Sequence, residues 1–261
     1  MTPDSFYDGG KYCNHNKAIK YVNNMIINGA KIVDIGGEST RPGSIPISEQ
    51  EELDRVIPII EKIHTRFDIL ISIDTSKAIV MKEAEKAGAH IINDIRSLQE
   101  PNALETAAQS NLPICIMHMI GTPQTMQQKI PKYKNIISDI KNYLKQQIKR
   151  CELAGINKNR LIIDPGFGFS KNVIHNYQLL SNLYQLKTLQ LPILIGISRK
   201  SMIGNILKIP ANERLIGSIA CATIAAMQLI NIIRTHDIKE TYQAIKIAHT
   251  VISNQKNYKN E

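Results

Sequence analysis

The chain has few of the residues that mark specialised classes of protein. Its 261 residues include no Trp, 5% aromatic residues and 4 Cys. The thiols of Cys13, Cys115, Cys151 and Cys221 form no C-x-x-C pair and no His stands at zinc spacing, so neither a disulfide framework nor a metal cage is predicted. No apolar run approaches the roughly 18 residues that span a membrane, and segment 1–6 lacks the basic and apolar parts of a signal peptide. These absences predict a cytoplasmic protein with reduced thiols and no membrane partner.

Positive charge, in contrast, is in excess: 32 Lys and Arg outnumber 23 Asp and Glu, for a net charge of +9. Such a balance is compatible with a nucleic-acid partner. The basic residues are scattered along helical patterns such as 132–149, however, and no nucleic-acid-binding module is recognisable. Solvated helix faces explain the charge more simply, so we expect no nucleic acid. A basic RNA-binding protein stays open as an alternative, and it predicts salt-sensitive retention on RNA.

Seven short, β-branched apolar runs alternate with amphipathic stretches along the chain. The runs cover residues 31–35, 69–73, 90–93, 113–117, 160–163, 192–197 and 231–234. Apolar strands separated by helices are typical of a parallel sheet covered by helices. Each run ends in polar residues, and a (β/α)8 TIM barrel would gather all these ends around one mouth. The sequence therefore predicts an α/β TIM barrel that forms a single domain over residues 1–261.

An eighth strand is needed to close such a barrel. The turn-like segment 2–6 stands where the loop after the first strand should be, so we expect the first strand to be missing or truncated at the N-terminus. Either the numbering begins late, or the barrel closes with a gap that exposes the edges of the flanking strands.

One set of polar residues at the strand ends is suited to binding an anion. Arg41 lies in a loop rich in Gly, Ser and Thr. Arg234 and His236 leave the last apolar run two residues apart, so their side chains can point the same way. A phosphate or pyrophosphate would suit these three side chains.

A second set is suited to binding a flat heterocycle rich in N–H donors. Asp74, Asn93 and Asp164 end three other runs, and carboxylates in a sheltered mouth need donors that offset their desolvation. An aminopyrimidine edge offers two parallel donors to a carboxylate. Lys200 could hold the acceptor side of such a ring or neutralise one of the aspartates. The structural alternative is that a strand-end Asp caps the following helix, an equally good explanation of Asp74 taken alone.

Other residues near these ends have plain structural explanations. His118, between two Met in an apolar run, is predicted to be an interior His with satisfied partners, and Met119 fits core filling as well as substrate contact. No H-E-x-x-H or G-x-S-x-G motif occurs, and Ser198 and Ser201 have no evident base nearby in the sequence. The pattern favours attack of one substrate on another, with the protein positioning both and stabilising a departing anion.

Eight motifs in a fixed order resemble the dihydropteroate synthase family of pterin-binding TIM barrels. They occupy residues 2–6, 34–43, 73–76, 92–95, 117–119, 164–169, 198–201 and 234–237, so the resemblance covers nearly the whole chain. It implies condensation of 6-hydroxymethyl-7,8-dihydropterin pyrophosphate with p-aminobenzoate, which gives 7,8-dihydropteroate and pyrophosphate in folate biosynthesis. It also implies a homodimer.

The resemblance assigns roles by position. It implies that the pterin is held by Asp74, Asn93, Asp164 and Lys200, with Met119 beside it and Arg234 against its ring face. The pyrophosphate would be gripped by Arg41, Arg234 and His236, with Thr40 nearby, and the p-aminobenzoate pocket would be lined by Thr40, Pro42, Phe169, Lys200 and Ser201. Four of these residues would be catalytic: Arg41, Lys200, Arg234 and His236.

The family further implies Mg2+ beside the pyrophosphate, coordinated by the Asn of a motif that reads Asn-Val-Thr-Pro-Asp-Ser-Phe. Here Met1 stands at the Val position and nothing precedes it, so the matching ligand is absent and no metal-binding residue is predicted. Two alternatives stay open. One is a non-catalytic pterin-binding remnant, and the other is a pterin-binding methyltransferase-type barrel, against which the pyrophosphate-gripping residues argue.

Overall fold

The computed structural model of the protein describes residues 15–39, 44–122, 126 and 130–257. Its strands are β1 (Ile32–Gly36), β2 (Leu70–Asp74), β3 (Ile91–Asp94), β4 (Ile114–Met117), β5 (Leu161–Asp164), β6 (Leu194–Gly196) and β7 (Ile232–Arg234). Its helices are α1 (His15–Ile27), α2 (Glu49–His64), α3 (Ala78–Lys86), α4 (Ala103–Gln109), α5 (Ile136–Leu153), α6 (Val173–Ser181), α7 (Ser201–Leu207), α8 (Leu215–Met227) and α9 (Ile238–Asn257). All seven predicted strands form, each within two residues of the predicted bounds.

The strands pair in parallel and in chain order. A five-stranded ladder runs from β1 to β5, and β6 pairs with β7. A single parallel bridge between Ile163 and Ile193 joins the two groups. The expected missing first strand and the segment 2–6 lie outside the described residues.

Apolar side chains from six strands form a single cluster. Ile91, Cys115 and Ile162 are buried there, and Ile32, Leu194 and Ile232 pack against them. Residues of β1 and β7, the first and last described strands, thus contact one central cluster. Such convergence is typical of the interior of a barrel.

A larger core lies between the sheet and the helices that cover it. Ile71, Ile73 and Ile92 of the strands are at most 1% exposed, and they pack with Ile60 and Ile140 of the helices. The Gly residues that follow α1, α3 and α5 have positive φ angles of 100°, 106° and 90°, which suit the left-handed ends of helices.

Two further findings bear on the composition. In the part of the chain that the structure describes, no helix is long and apolar enough to cross a membrane. Three of the Cys, at positions 115, 151 and 221, are buried free thiols.

Candidate active site at the carboxyl ends of the strands

The strand ends place polar side chains side by side. Asp74 at the end of β2 is in register with Asn93 of β3, and Asp164 of β5 is in register with Met117 of β4. Asp74, Asn93 and Asp164 are 6%, 6% and 8% exposed. Burial of so many polar groups at one end of a sheet requires partners for each of them, and the structure shows what those partners are.

Arg234 of β7 is the central cation of this mouth. Its Nε lies 2.7 Å from Asp34 Oδ2 of β1, and its Nη2 donates to Asp74 Oδ2 at 3.1 Å. Asn93 Nδ2 lies 3.5 Å from both carboxylate oxygens of Asp34. One guanidinium therefore links β7 to both β1 and β2 across the mouth, and no other hydrogen bond from it to a described residue is found, which leaves N–H donors for a ligand.

The two carboxylates that share Arg234 differ in their affinity for a proton. Burial alone would raise the pKa of Asp34, but the Arg234 charge and hydrogen bonds outweigh it, so its pKa lies below the usual 3.8. Burial and the neighbouring Asp34 charge raise the pKa of Asp74 to about 7, although Arg234 opposes the rise. Near neutral pH, Asp74 is consequently the carboxylate that is poised to gain or lose a proton.

The loop that follows β5 carries a second cation. The Asp164 carboxylate accepts the N–H of Gly166 at 2.7 Å, and Lys200 donates to the carbonyl of Phe167. Lys200 Nζ also lies 4.7 Å from the centre of the Phe169 ring, within cation–π range. Burial lowers the pKa of Lys200 to about 8, with Asp164 opposing and Arg234 assisting the shift.

A buried Lys supports this loop from below. Lys171 is 3% exposed, and its Nζ lies 2.8 Å from the Gly166 carbonyl, 2.9 Å from the Phe169 carbonyl and 3.0 Å from His118 Nδ1. The prediction that His118 is an interior, satisfied His is confirmed, because it is 1% exposed and holds this contact. Burial lowers the pKa of His118 to about 2.

The ends of β6 and β7 are joined by polar contacts between two pairs of residues. Ser198 Oγ lies 3.0 Å from His236 Nδ1 and accepts the backbone N–H of His236 at 3.2 Å. Arg199 Nε donates to Asp237 Oδ2 at 3.0 Å. Desolvation by the surrounding protein, and next the Arg234 charge, lower the pKa of His236 to about 4, so its ring is neutral at neutral pH.

An ion-paired cluster holds the described residues that flank segment 40–43. Lys77 Nζ lies 2.6 Å from Glu38 Oε2 and 2.5 Å from Glu52 Oε2. Glu52 is 1% exposed, and Glu38 also accepts the N–H of Ile47 at 3.4 Å. Both described flanks of the 40–43 segment are thereby tied to α2 and to the loop after β2.

The structure brings most of the predicted site residues to one mouth. They are Asp74, Asn93, Met119, Asp164, Phe169, Lys200, Ser201, Arg234 and His236. Met119 is buried with Met117 and Met126, and Phe169 packs against this cluster. Ser201 is the exposed first residue of α7. The predictions for Thr40, Arg41 and Pro42 lie outside the described residues.

Three further residues contribute to the mouth that the sequence does not predict as site residues. The sequence alone does not mark Asp34 as a site residue, yet Asp34 pairs with Arg234. Lys171 directly follows the 164–170 loop. Its position next to a loop rich in Gly and Phe is the feature of the sequence that could have identified it. Ser198 finds its His 38 residues away, a separation that conceals the contact in the sequence.

Comparisons with known proteins agree with this geometry. A family model described as pterin binding enzyme matches residues 1–236. Dihydropteroate synthase of Escherichia coli (strain K12) is 54% identical over 261 residues, which cover 100% of this chain and 92% of that protein. The Yersinia pestis dihydropteroate synthase in complex with a sulfonamide drug superposes with a TM-score of 0.92 at 55% identity, covering 97% of this chain and 91% of that one.

A structure at lower identity gives the same result. The Xanthomonas albilineans dihydropteroate synthase with 4-aminobenzoic acid has a TM-score of 0.89 at 39% identity, covering 96% of this chain and 89% of that one. Fold and sequence therefore agree over nearly the full length of the chain.

Proposed function

Because this chain belongs to the dihydropteroate synthase family of pterin-binding enzymes, we propose a role in that family's reaction for each polar residue at the mouth of its barrel. The chain is an α/β TIM-barrel enzyme, a transferase that joins 6-hydroxymethyl-7,8-dihydropterin pyrophosphate to p-aminobenzoate in folate biosynthesis. The products are 7,8-dihydropteroate and pyrophosphate. The single observation that carries the residue roles is the Arg234 guanidinium held between Asp34 and Asp74.

The pterin is held at the floor of the mouth. Asp74, Asn93 and Asp164 supply acceptors for its amino and ring N–H donors, and Lys200 supplies a donor for its carbonyl oxygen. Because these side chains are nearly buried, a ligand that pairs with them offsets their desolvation. Met119 provides an apolar surface beside the ring, and Arg234 lies against the ring face.

The pyrophosphate is gripped by Arg234 and His236 after β7 and by Arg41, with Thr40, of the segment that follows β1 in the sequence. The Arg234 donors that Asp34 and Asp74 leave free suit phosphate oxygens. Since the His236 ring is neutral near pH 7, its contribution is a hydrogen bond rather than a charge.

The p-aminobenzoate lies toward the outside, against Phe169, Lys200 and Ser201, and Thr40 and Pro42 also contribute to its pocket. The contact of Lys200 with the Phe169 ring defines one wall of this pocket. The Xanthomonas albilineans relative was solved with 4-aminobenzoic acid, which supports a pocket for this substrate in the same fold.

The reaction follows from these positions and needs no protein nucleophile. The C–O bond between the pterin methylene and pyrophosphate breaks, and its electron pair leaves with the pyrophosphate. Arg41, Arg234 and His236 stabilise that growing negative charge. The amine of p-aminobenzoate then forms the C–N bond with the cationic methylene and gives up a proton to the solvent.

Magnesium fits this chain as a companion of the substrate's pyrophosphate group. Within the described residues, no three His, Cys, Asp or Glu side chains gather as a metal site, and Asp34 and Asp74 already share Arg234. A Mg2+ ion held chiefly by phosphate oxygens and water needs few protein ligands.

The setting of the enzyme is inferred from its surfaces and thiols. We expect a single domain over residues 1–261 that forms a homodimer, because α8 and α9 expose apolar residues such as Ile216, Ile224 and Ile247. Sedimentation velocity tests the dimer. Buried free thiols suit a reducing cytoplasm.

Pyrophosphate release in the presence of both substrates and Mg2+ tests the residue roles. We expect Arg234→Lys to lower kcat/KM by about 100-fold or more, as loss of a charge-stabilising donor does. Arg66→Lys serves as the matched control, because Arg66 is exposed between α2 and β2, at the opposite end of the barrel. Equal activity of the two variants would refute the role of Arg234.

Binding of the pterin is measured alongside turnover. A protein that binds dihydropterin pyrophosphate without releasing pyrophosphate would be the non-catalytic remnant. Binding of methyl-tetrahydrofolate in preference to dihydropterin pyrophosphate would instead indicate the methyltransferase-type barrel.

A further inference from the structure

Ser198 makes two contacts with a single residue, His236, across the gap between the ends of β6 and β7. Its Oγ accepts the backbone N–H of His236 at 3.2 Å, and the same oxygen lies 3.0 Å from Nδ1 of the ring. Main chain and side chain of His236 are thus fixed relative to one hydroxyl. This arrangement is a clamp on an imidazole, and it differs from a nucleophile–base pair because no carboxylate among the described residues hydrogen-bonds to the ring.

The hydroxyl has one proton to give, and the ring nitrogen can receive it. A backbone N–H already occupies one acceptor position of Oγ, which leaves the O–H free to rotate toward Nδ1. When Nδ1 accepts this proton, the proton of a neutral imidazole must stand on Nε2. With Ser198 as the donor, the N–H of the ring points away from Ser198.

The tautomer matters because the ring is neutral. Desolvation lowers the pKa of His236 to about 4. Among the charged groups of the described residues, Arg234 and Arg199 assist this shift and Asp237 opposes it. A neutral ring has a single N–H donor. If that proton stood on Nδ1, the Nε2 lone pair would face the anion and repel it.

The frame that carries Ser198 is itself rigidly held. The next residue, Arg199, adopts a left-handed backbone with φ of 57°, and its N–H donates to the Ser218 hydroxyl at 2.9 Å. Its guanidinium pairs with Asp237, the neighbour of His236. The end of β6 is thereby tied to α8 through Ser218 and to the end of β7 through Asp237. A strained conformation kept in place by such bonds is typical of functional loops.

We propose that Ser198 is a positioning residue that locks the neutral His236 ring with its Nε2–H directed at the pyrophosphate. This inference rests on the proposed role of His236 in anion binding. Ser198 itself does not touch the substrate. Its effect is to hold the correct ring face and the correct proton in place before the anion arrives, so no reorganisation is needed at binding.

Nitrogen-15 NMR of histidine-labelled enzyme tests the clamp directly, since the two tautomers of imidazole have distinct ring nitrogen shifts. The chain has 7 His, and the spectrum of His236→Asn identifies the signal of His236 by difference. We expect the Nε2–H form in the unliganded wild type at neutral pH. We expect Ser198→Ala to show a mixture of both forms, and Ser198→Thr, which keeps the hydroxyl, to restore the single form.

Competition by inorganic pyrophosphate supplies the functional readout. We expect its inhibition constant to rise roughly 2- to 10-fold in Ser198→Ala, as for loss of one hydrogen bond, with the KM for p-aminobenzoate unchanged. Ser201→Ala is the matched control from the same loop; it should alter the KM for p-aminobenzoate and leave the His236 spectrum unchanged.

The outcomes separate the clamp from the role of His236. An Nδ1–H signal in the wild type, or an identical spectrum in Ser198→Ala, would overturn the proposal even if pyrophosphate binding weakened. Unchanged pyrophosphate affinity in His236→Asn would instead refute the anion-binding role of His236, and with it the functional use of the clamp.

Discussion

Replacement of Asp74 by Asn should make the free enzyme more stable than the wild type as the pH rises. In the folded chain, burial and the Asp34 charge raise the pKa of Asp74 from 3.8 to about 7. The native state therefore binds a proton that the unfolded chain has already released, and its stability falls as the pH rises from about 4 to about 7. A shift of this size corresponds to about 4 kcal/mol in total.

The change is measurable in an accessible window. Between pH 5 and pH 8, the stability of Asp74→Asn relative to the wild type should rise by about 3 kcal/mol. The pKa of Asp34 lies below 3.8, so its titration falls outside this window. The Asn amide oxygen can still accept from Arg234 Nη2, which limits the pH-independent part of the change.

Urea unfolding followed by far-UV circular dichroism at several pH values is the assay, since the chain has no Trp for fluorescence. Ile73→Val, a neighbour in the same strand with a fully buried side chain, is the control. It should cost about 1 kcal/mol at every pH. A constant difference between Asp74→Asn and the wild type from pH 5 to pH 8 would show that the Asp74 carboxyl is not poised near neutrality.

Other changes give distinct expectations. Lys77→Met should lower the free energy of unfolding by about 3 kcal/mol, because it leaves the buried Glu52 carboxylate without its cation. In thermal denaturation, the double variant with Glu52→Gln should recover part of this loss. If the effects of the two substitutions simply added, the ion pair would not be the cause. Gly166→Ala should weaken pterin binding measured by calorimetry, because a Cβ there would lie 2.0 Å from the His118 carbonyl oxygen at a φ of 70°; unchanged affinity would mean that the loop is not fixed in this conformation. Since the pKa of Lys200 is about 8, kcat/KM should fall as the pH rises above that value and the ammonium is lost. Lys200→Arg should move this fall to higher pH. A pH profile that the substitution does not alter would assign the fall to another group.

The fold was predictable because its signals are local. Each strand is a short apolar run in the sequence, and Gly29, Gly88 and Gly155, which end helices, each precede a strand. Periodicity and turn residues therefore predict where these elements lie. Strand bounds were in error by one or two residues, for example at β6, where the run 192–197 forms only Leu194–Gly196. The parallel order then follows from alternation of strands and helices, since such connections leave few topologies.

The site was predictable only as a set of strand ends. Barrel geometry brings Asp74, Asn93 and Asp164 together whatever their separation in the sequence. The pairing within that set is a tertiary property. Nothing in the sequence distinguishes Asp34, which pairs with Arg234 through Nε, from a loop-structuring Asp, and the contact between Ser198 and His236 depends on how two loops pack.

The same reasoning explains why these residues mark the function so clearly. A carboxylate such as Asp74 at the end of an apolar strand is a local inconsistency, and its high pKa is the cost of that position in the free enzyme. A hydrophobic residue would stabilise the strand end better. The position makes physical sense once a ligand with N–H donors replaces the water that the carboxylate has lost, because binding then recovers the desolvation energy. The carboxylates that lose most hydration on folding are thus the ones that gain most from binding substrate, and they are grouped where the pterin is proposed to bind.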